Sequence, residues 1–124
     1  MTRVVIADDD SDIRTLVKIS VARAGLDLVA DLGDGESAFD AISRLVPDLA
    51  ILDVSMPGMT GLQICRRVRE RPELEGVRIL LLSAAVDESA QNAGLDAGAN
   101  GYLIKPFSPR ELSARLTEEV GARL

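Results

Sequence analysis

Histidine and tryptophan are absent from the 124 residues, and there is a single cysteine, Cys65. Each absence excludes something. Without histidine, serine–histidine and cysteine–histidine nucleophile systems cannot be built, imidazole bases are gone, and most zinc sites lose a usual ligand. The chain cannot carry a phosphohistidine of its own, so any phosphohistidine in its chemistry belongs to a partner. A lone cysteine forms no intramolecular disulfide and points to a reducing compartment. It falls on an apolar helical stripe, where a small buried thiol is the default. Aromatics are limited to Phe39, Tyr102 and Phe107, so the core must be aliphatic. Positive charge is scarce as well: 14 Lys and Arg face 20 Asp and Glu, for a formal net charge of −6. Nucleic-acid binding rests on concentrated cationic surface. Arg66, Arg67, Arg69 and Arg71 do cluster, but near the end of an expected helix, where cations suit the dipole and solvent. No direct nucleic-acid contact is expected. No apolar run approaches the ~18 residues of a membrane span. The opening Met1-Thr2-Arg3 lacks a signal-peptide profile, so a cytoplasmic location away from membranes is expected.

What the chain does have is a regular alternation. Hydrophobic residues make up 47% and charged residues 27%, enough for a buried core without staples, and the length suits one domain over residues 1–124. Five short apolar runs stand at Val4 to Ala7, Leu28 to Ala30, Leu49 to Leu52, Val77 to Leu82 and Tyr102 to Ile104. Three are apolar throughout, as strands buried on both faces of a parallel sheet are. Amphipathic segments follow each run. The first places Ile13, Leu16, Val17, Ser20, Val21 and Ala24 at near-3.6 spacing and ends at Gly25. The second carries Ala38, Ala41, Ile42 and Leu45 and stops before Pro47. The third carries Leu62, Cys65, Val68 and Arg69 and breaks at Pro72. The fifth opens on Ser108-Pro109-Arg110-Glu111, a capping-box pattern with proline at the first helical position, and turns Leu112, Leu116 and Val120 inward. The fourth, Glu88 to Ala97, offers only Ala90, Ala93, Gly94 and Ala97, and its glycine costs about 1 kcal/mol against alanine. It should be the least stable element. The alternation predicts a doubly wound α/β sheet with right-handed crossovers, whose ligands bind at the carboxyl ends of the strands.

Those ends are where the chemistry collects. Asp8, Asp9 and Asp10 follow the first run, Asp53 the third, Ser83 the fourth and Lys105 the fifth. An aspartate after a strand is ordinarily a turn residue or helix cap. Asp10 reads as the cap of the first helix, Asp31 and Asp34 as turn or cap residues, and Met56 and Met59 as packing. Together, however, the carboxylates would repel and raise one another's pKa values unless cations sit among them. Lys105 supplies one charge. An oxygen-only ligand set points to a hard divalent cation, Mg²⁺ with Mn²⁺ as the alternative. Carboxylates, a metal, an ammonium and a hydroxyl in one place are suited to phosphoryl transfer onto a carboxylate.

In this order and spacing, four segments carry a resemblance: Val5-Ile6-Ala7-Asp8-Asp9-Asp10; Pro47 to Asp53 with Met56-Pro57-Gly58 and Gly61; Leu82-Ser83-Ala84; and Gly101-Tyr102-Leu103-Ile104-Lys105-Pro106-Phe107. The whole chain resembles the receiver domain of bacterial two-component response regulators. The resemblance implies a flavodoxin-like (βα)5 fold with strand order 2-1-3-4-5. It implies Asp53 as phospho-acceptor, supplied by the phosphohistidine of a sensor histidine kinase or phosphotransfer protein. Asp9, Asp53 and the backbone carbonyl of Ser55 would bind Mg²⁺ directly, and Asp8 through water. Lys105 and Ser83 would engage the phosphoryl group, Tyr102 would follow Ser83 inward, and the Lys105–Pro106 bond would be cis. The readout would be the face of the fourth helix, fifth strand and fifth helix, acting on an effector protein or an output domain. Neither Ser55 nor Ala85 offers an acid or amide to orient a hydrolytic water, so self-dephosphorylation over minutes to hours is expected.

One feature departs from the subgroup that dimerises ahead of winged-helix domains: Asn100-Gly101 replace its acidic residue before Tyr102, although Pro106 to Leu112 resembles it. A monomer and a weak phosphorylation-dependent dimer both stay open, as do a stand-alone receiver and the amino-terminal part of a longer regulator. Two alternatives fit less well. A haloacid dehalogenase-like phosphatase needs a second acid two residues past its nucleophile, where Ser55 stands. A receiver that only binds proteins has no need of the intact set of Asp8, Asp9, Asp53, Ser83 and Lys105.

Overall fold

A computed structural model describes residues 2–121, so the expected domain limits at 1 and 124 lie outside the described residues. The chain runs β1 (Arg3–Ala7), α1 (Ser11–Arg23), β2 (Asp27–Leu32), α2 (Gly35–Leu45), β3 (Leu49–Asp53), α3 (Gly61–Arg69), β4 (Arg78–Ser83), α4 (Glu88–Asp96), β5 (Gly101–Ile104) and α5 (Pro109–Gly121), with a 3₁₀ turn at Pro72–Leu74. All strand pairs are parallel, in the order β2-β1-β3-β4-β5. This is the doubly wound topology expected from the alternation.

Side-chain alternation along the three central strands builds two cores. Val5, Ala50, Leu52, Ile79 and Leu81 face Ala38, Ile42, Ile64, Cys65 and Val68 of α2 and α3. Val4, Ile6, Leu49, Ile51, Leu80 and Leu82 face Val17 and Val21 of α1 and Leu112 and Leu116 of α5. Each fully buried leucine or isoleucine contributes about 2 kcal/mol of transfer free energy. Burial also pushes the Cys65 thiol up to about 11, despite Arg69 and Arg66 nearby, so its thiolate is scarce and the residue packs rather than reacts.

Helix ends are set by local chemistry. Asp10 caps α1, accepting from Asp12 N at 2.9 Å and Ile13 N at 3.4 Å, and Asp34 caps α2 through Ser37 N at 2.8 Å. Thr60 and Gln63 form a reciprocal capping box on α3, a T-x-x-Q pattern in the sequence that carries the same signal as Ser108 to Glu111. At α5, Ser108 Oγ accepts from Glu111 N at 3.1 Å. α2 ends in a left-handed Val46 (φ 45°) before Pro47, where Arg3 Nη1 donates to the Leu45 carbonyl at 2.7 Å.

Four details differ from the sequence reading. Ile64 takes the buried place expected for Leu62, which is only half-buried, because the fully buried stripe of α3 runs through Ile64, Cys65 and Val68. Asp31 is a β2 residue, not a turn, and it receives Arg14 and Lys18. In α5 the buried position is Glu119 rather than Val120; its carboxylate lies 2.9 Å from Arg78 Nη2 and 3.3 Å from Arg115 Nε. Arg69 is not a solvated charge. It donates to the carbonyls of Gly98 (2.9 Å) and Val77 (2.8 Å) and to Asn100 Oδ1 (2.9 Å), tying α3 to the α4–β5 turn. Arg67 and Arg71 do stay exposed, over the Phe39 ring at 6.0 and 4.9 Å.

Candidate functional site

The carboxyl edge of the sheet gathers the polar residues because β1, β3, β4 and β5 run in register. Asp53 is the last residue of β3 and pairs with Leu82, and Ser83, the last of β4, pairs with Ile104, directly before Lys105. Asp8 continues β1, its amide donating to the Leu32 carbonyl at 3.1 Å. The apolar strands thus carry Asp8, Asp53 and Ser83 into burial at 2%, 5% and 8% exposure, where charge is costly unless paired.

Lys105 provides the pairing. Its Nζ lies 2.9 Å from Asp8 Oδ2 and 3.1 Å from Asp53 Oδ1. Burial alone would push the lysine down, but hydrogen bonds and charge from Asp8 and Asp53 outweigh it and hold Lys105 above its ordinary range. For Asp53, burial raises the pKa, repulsion from Asp8 adds to that, and the Lys105 bond offsets it only partly, leaving the carboxyl above the ordinary range. One ammonium does not neutralise two buried carboxylates.

The remaining surplus is what a cation would relieve. Asp8, Asp9 and Asp53 each offer a carboxylate oxygen, and these lie within 4.8 Å of one another. Asp9 is exposed, and no hydrogen bond or ion pair among the described residues ties its carboxylate down. Asp8 is already committed to Lys105 and, through Oδ1, to Asp10 N at 2.9 Å. An all-oxygen donor set with one free and two shared carboxylates fits a hard divalent cation. The mouth is a cavity of about 450 Å³ lined by Asp9, Asp53, Ser55, Ser83 and Lys105 among others. Asp10 lines its rim, yet its side chain is spent on capping α1.

Beside the cavity, Ser83 Oγ accepts from Ala85 N at 3.1 Å and the Tyr102 hydroxyl donates to the Ala85 carbonyl at 3.0 Å. Both therefore grip the same residue of the loop after β4. Tyr102 packs on the α2–α3 core. A Cβ at Gly94 would sit 3.1 Å from Leu81 Cδ1 and 3.2 Å from Tyr102 Cδ2, so the glycine lets α4 lie close over the ring. The Lys105–Pro106 peptide is cis. The bond from Lys105 to Asp53 matches the expected pairing, whereas the bond to Asp8 is additional; two acids at adjacent strand ends with one lysine between them is the sequence signal for it.

Comparison with known proteins agrees with this geometry. The family model described as response regulator receiver domain matches residues 4–117. The chain is 40% identical over 114 residues to the DNA-binding response regulator MtrA of Mycobacterium tuberculosis, an alignment covering 92% of this chain and 48% of that one. Among solved structures, a putative response regulator from Chloroflexus aurantiacus superimposes with a TM-score of 0.88 at 38% identity, covering 97% of this chain and 98% of that one. The chemotaxis response regulator CheY4 of Vibrio cholerae gives 0.87 at 31% identity, covering 95% and 98%. The chain spans about half the length of the curated relatives it matches.

Proposed function

The chain belongs to the receiver-domain family of two-component response regulators, and from that membership and the site geometry we propose that Asp53 accepts the phosphoryl group. The observation that carries the reading is Lys105 Nζ bridging Asp8 and Asp53, with Asp9 and Ser83 at the same cavity mouth. In the transfer, an Asp53 oxygen forms a bond to phosphorus as the phosphorus–nitrogen bond of a partner's phosphohistidine breaks, its electron pair returning to the imidazole. Asp9, Asp53 and the Ser55 carbonyl, with Asp8 through water, would hold Mg²⁺, which when bound neutralises charge on the transferring oxygens. Lys105 keeps its contact to Asp8 and turns its Asp53 contact toward a phosphoryl oxygen. Its retained bond to Asp8 and the new phosphoryl oxygen both favour the charged ammonium there.

The reading makes residues 1–124 one receiver that is a switch rather than a catalyst of external substrates. The donor is a sensor histidine kinase or phosphotransfer protein. The recipient of the signal is an effector protein or, as the longer DNA-binding relatives suggest, an output domain of the same polypeptide. Incubation with acetyl phosphate and Mg²⁺ should give a retarded band on a phosphate-affinity gel. The band should disappear with hydroxylamine and, since Ser55 and Ala85 carry no acid or amide to orient water, decay over minutes to hours after the donor is removed. No band, or a hydroxylamine-resistant one, overturns the assignment; decay within seconds overturns the slow-hydrolysis reading.

The added charge then acts on the loop after β4. Phosphorylation brings about one further negative charge and three acceptor oxygens. The Ser83 hydroxyl leaves Ala85 N to donate to one of them. Tyr102, whose ring already packs on the core and whose hydroxyl holds the Ala85 carbonyl, carries the shift of that loop to α4 and β5. α4, whose only buried helical residue is Gly94 and whose Asp87 makes no side-chain cap, shifts at low cost. Backbone amide shifts from Ala84 to Tyr102 should therefore move on adding beryllofluoride and Mg²⁺. Unmoved shifts there would break the link between site and face.

A further inference from the structure

Arg14 lies outside the phosphoryl site yet reaches its backbone. From the first half of α1 its Nη1 donates to the main-chain carbonyl of Asp8 at 2.9 Å. Its Nε lies 3.1 Å from Asp31 Oδ1, close enough for charge attraction though not aligned as a hydrogen bond. Lys18, one turn later on α1, holds the other oxygen of Asp31 at 2.7 Å. The guanidinium also fills the space beside Gly33, where an added Cβ would fall 2.8 Å from Arg14 Nη1. Three elements, α1, the end of β1 and the end of β2, thus meet on one planar group.

The Asp8 carbonyl belongs to the same rigid peptide plane as the Asp9 amide. Holding that oxygen fixes the plane, and the plane sets the direction in which Asp9 leaves the chain. Asp8 has other anchors: its amide bonds the Leu32 carbonyl, and its carboxylate bonds Lys105 and Asp10 N. Asp9 is exposed and its side chain has none among the described residues. Its aim depends on the backbone, and so on Arg14.

We propose that Arg14, held by Asp31 and given room by Gly33, is a positioning residue that aims Asp9 at the divalent cation. The inference rests on the metal-binding reading of Asp8, Asp9 and Asp53. Its sign separates it from simple electrostatics. Removing a positive charge near an acidic cluster would tighten cation binding by Coulomb's law alone, whereas loss of aim weakens it.

The test is isothermal titration with MgCl₂ of the wild-type chain, Arg14→Met, Gly33→Ala and the double variant, with thermal unfolding by circular dichroism in metal-free buffer alongside. Arg14→Met should bind Mg²⁺ about tenfold more weakly, the usual scale for losing an outer-shell support. Gly33→Ala keeps every charge and meets only the tip of a flexible side chain, so it should fold normally and weaken Mg²⁺ in the same direction. The double variant should bind no more weakly than Arg14→Met, because both changes remove one contact. Unchanged or tighter binding in Arg14→Met or Gly33→Ala overturns the proposal. If Arg14→Met fails to fold, Gly33→Ala decides alone. A wild-type chain that binds no Mg²⁺ instead overturns the underlying reading, and the positioning role with it.

Discussion

Asp53→Asn should take up no phosphoryl group: with acetyl phosphate and Mg²⁺ the retarded gel band is expected to vanish while the fold is kept. Asparagine preserves the shape and burial of the side chain, but its amide oxygen is a poor nucleophile, and Lys105 retains Asp8 as its partner at 2.9 Å. The same substitution has a pH signature. In metal-free protein, Asp53 holds its proton above the ordinary value of 3.8, first through burial and then through repulsion from Asp8. A group whose folded-state pKa is raised contributes stability below its unfolded pKa and loses it as pH rises through the folded value. The wild type should therefore lose stability relative to Asp53→Asn across that window, read as the difference in urea midpoints over a pH series without Mg²⁺. A phosphorylated Asp53→Asn, or midpoints that run parallel at every pH, would contradict these expectations.

The largest effect on stability is expected from Gly35→Ala. The first residue of α2 lies flat against the loop that follows β3. Its amide donates to the Pro57 carbonyl at 3.2 Å, and an added Cβ would land on the carbonyl oxygen of Met59. Nothing flexible stands there to yield; backbone meets backbone. Overpacking of this kind costs about 3 kcal/mol or more, which for a domain of this size lowers the melting temperature by on the order of 10 °C. Circular dichroism melts against wild type measure it, with Gly76→Ala, where a Cβ meets nothing within 4 Å, as the control. Equal melting temperatures for the two variants would show that the loop rebuilds freely.

The strands and the carboxyl-edge cluster were legible in the sequence because each is a short-range pattern, whereas the strand order came only through the family resemblance. Apolar runs such as Leu49 to Leu52 must be buried on both faces, and the residue that follows each run is carried to the same edge. Helix caps at Asp10 and Asp34 are equally local. What stayed hidden depends on partners far along the chain. Arg69 resembled its solvated neighbours Arg66 and Arg67 until Gly98, 29 residues away, came under its guanidinium. Glu119 stands beside the expected inward position Val120, and only the placement of Arg78 and Arg115 makes its burial tolerable. Gly94 looked like a defect of α4; its use is apparent only with the Tyr102 ring beneath it.

The grip of Arg69 on Gly98 and Asn100 sets how α4 can respond. That helix is clamped beyond its carboxyl end and weakly held at its amino end, where Asp87 makes no side-chain cap. On the proposed switch, a pull at Ala85 would turn the helix about that clamped end rather than slide it, and the displacement would shrink toward Gly98.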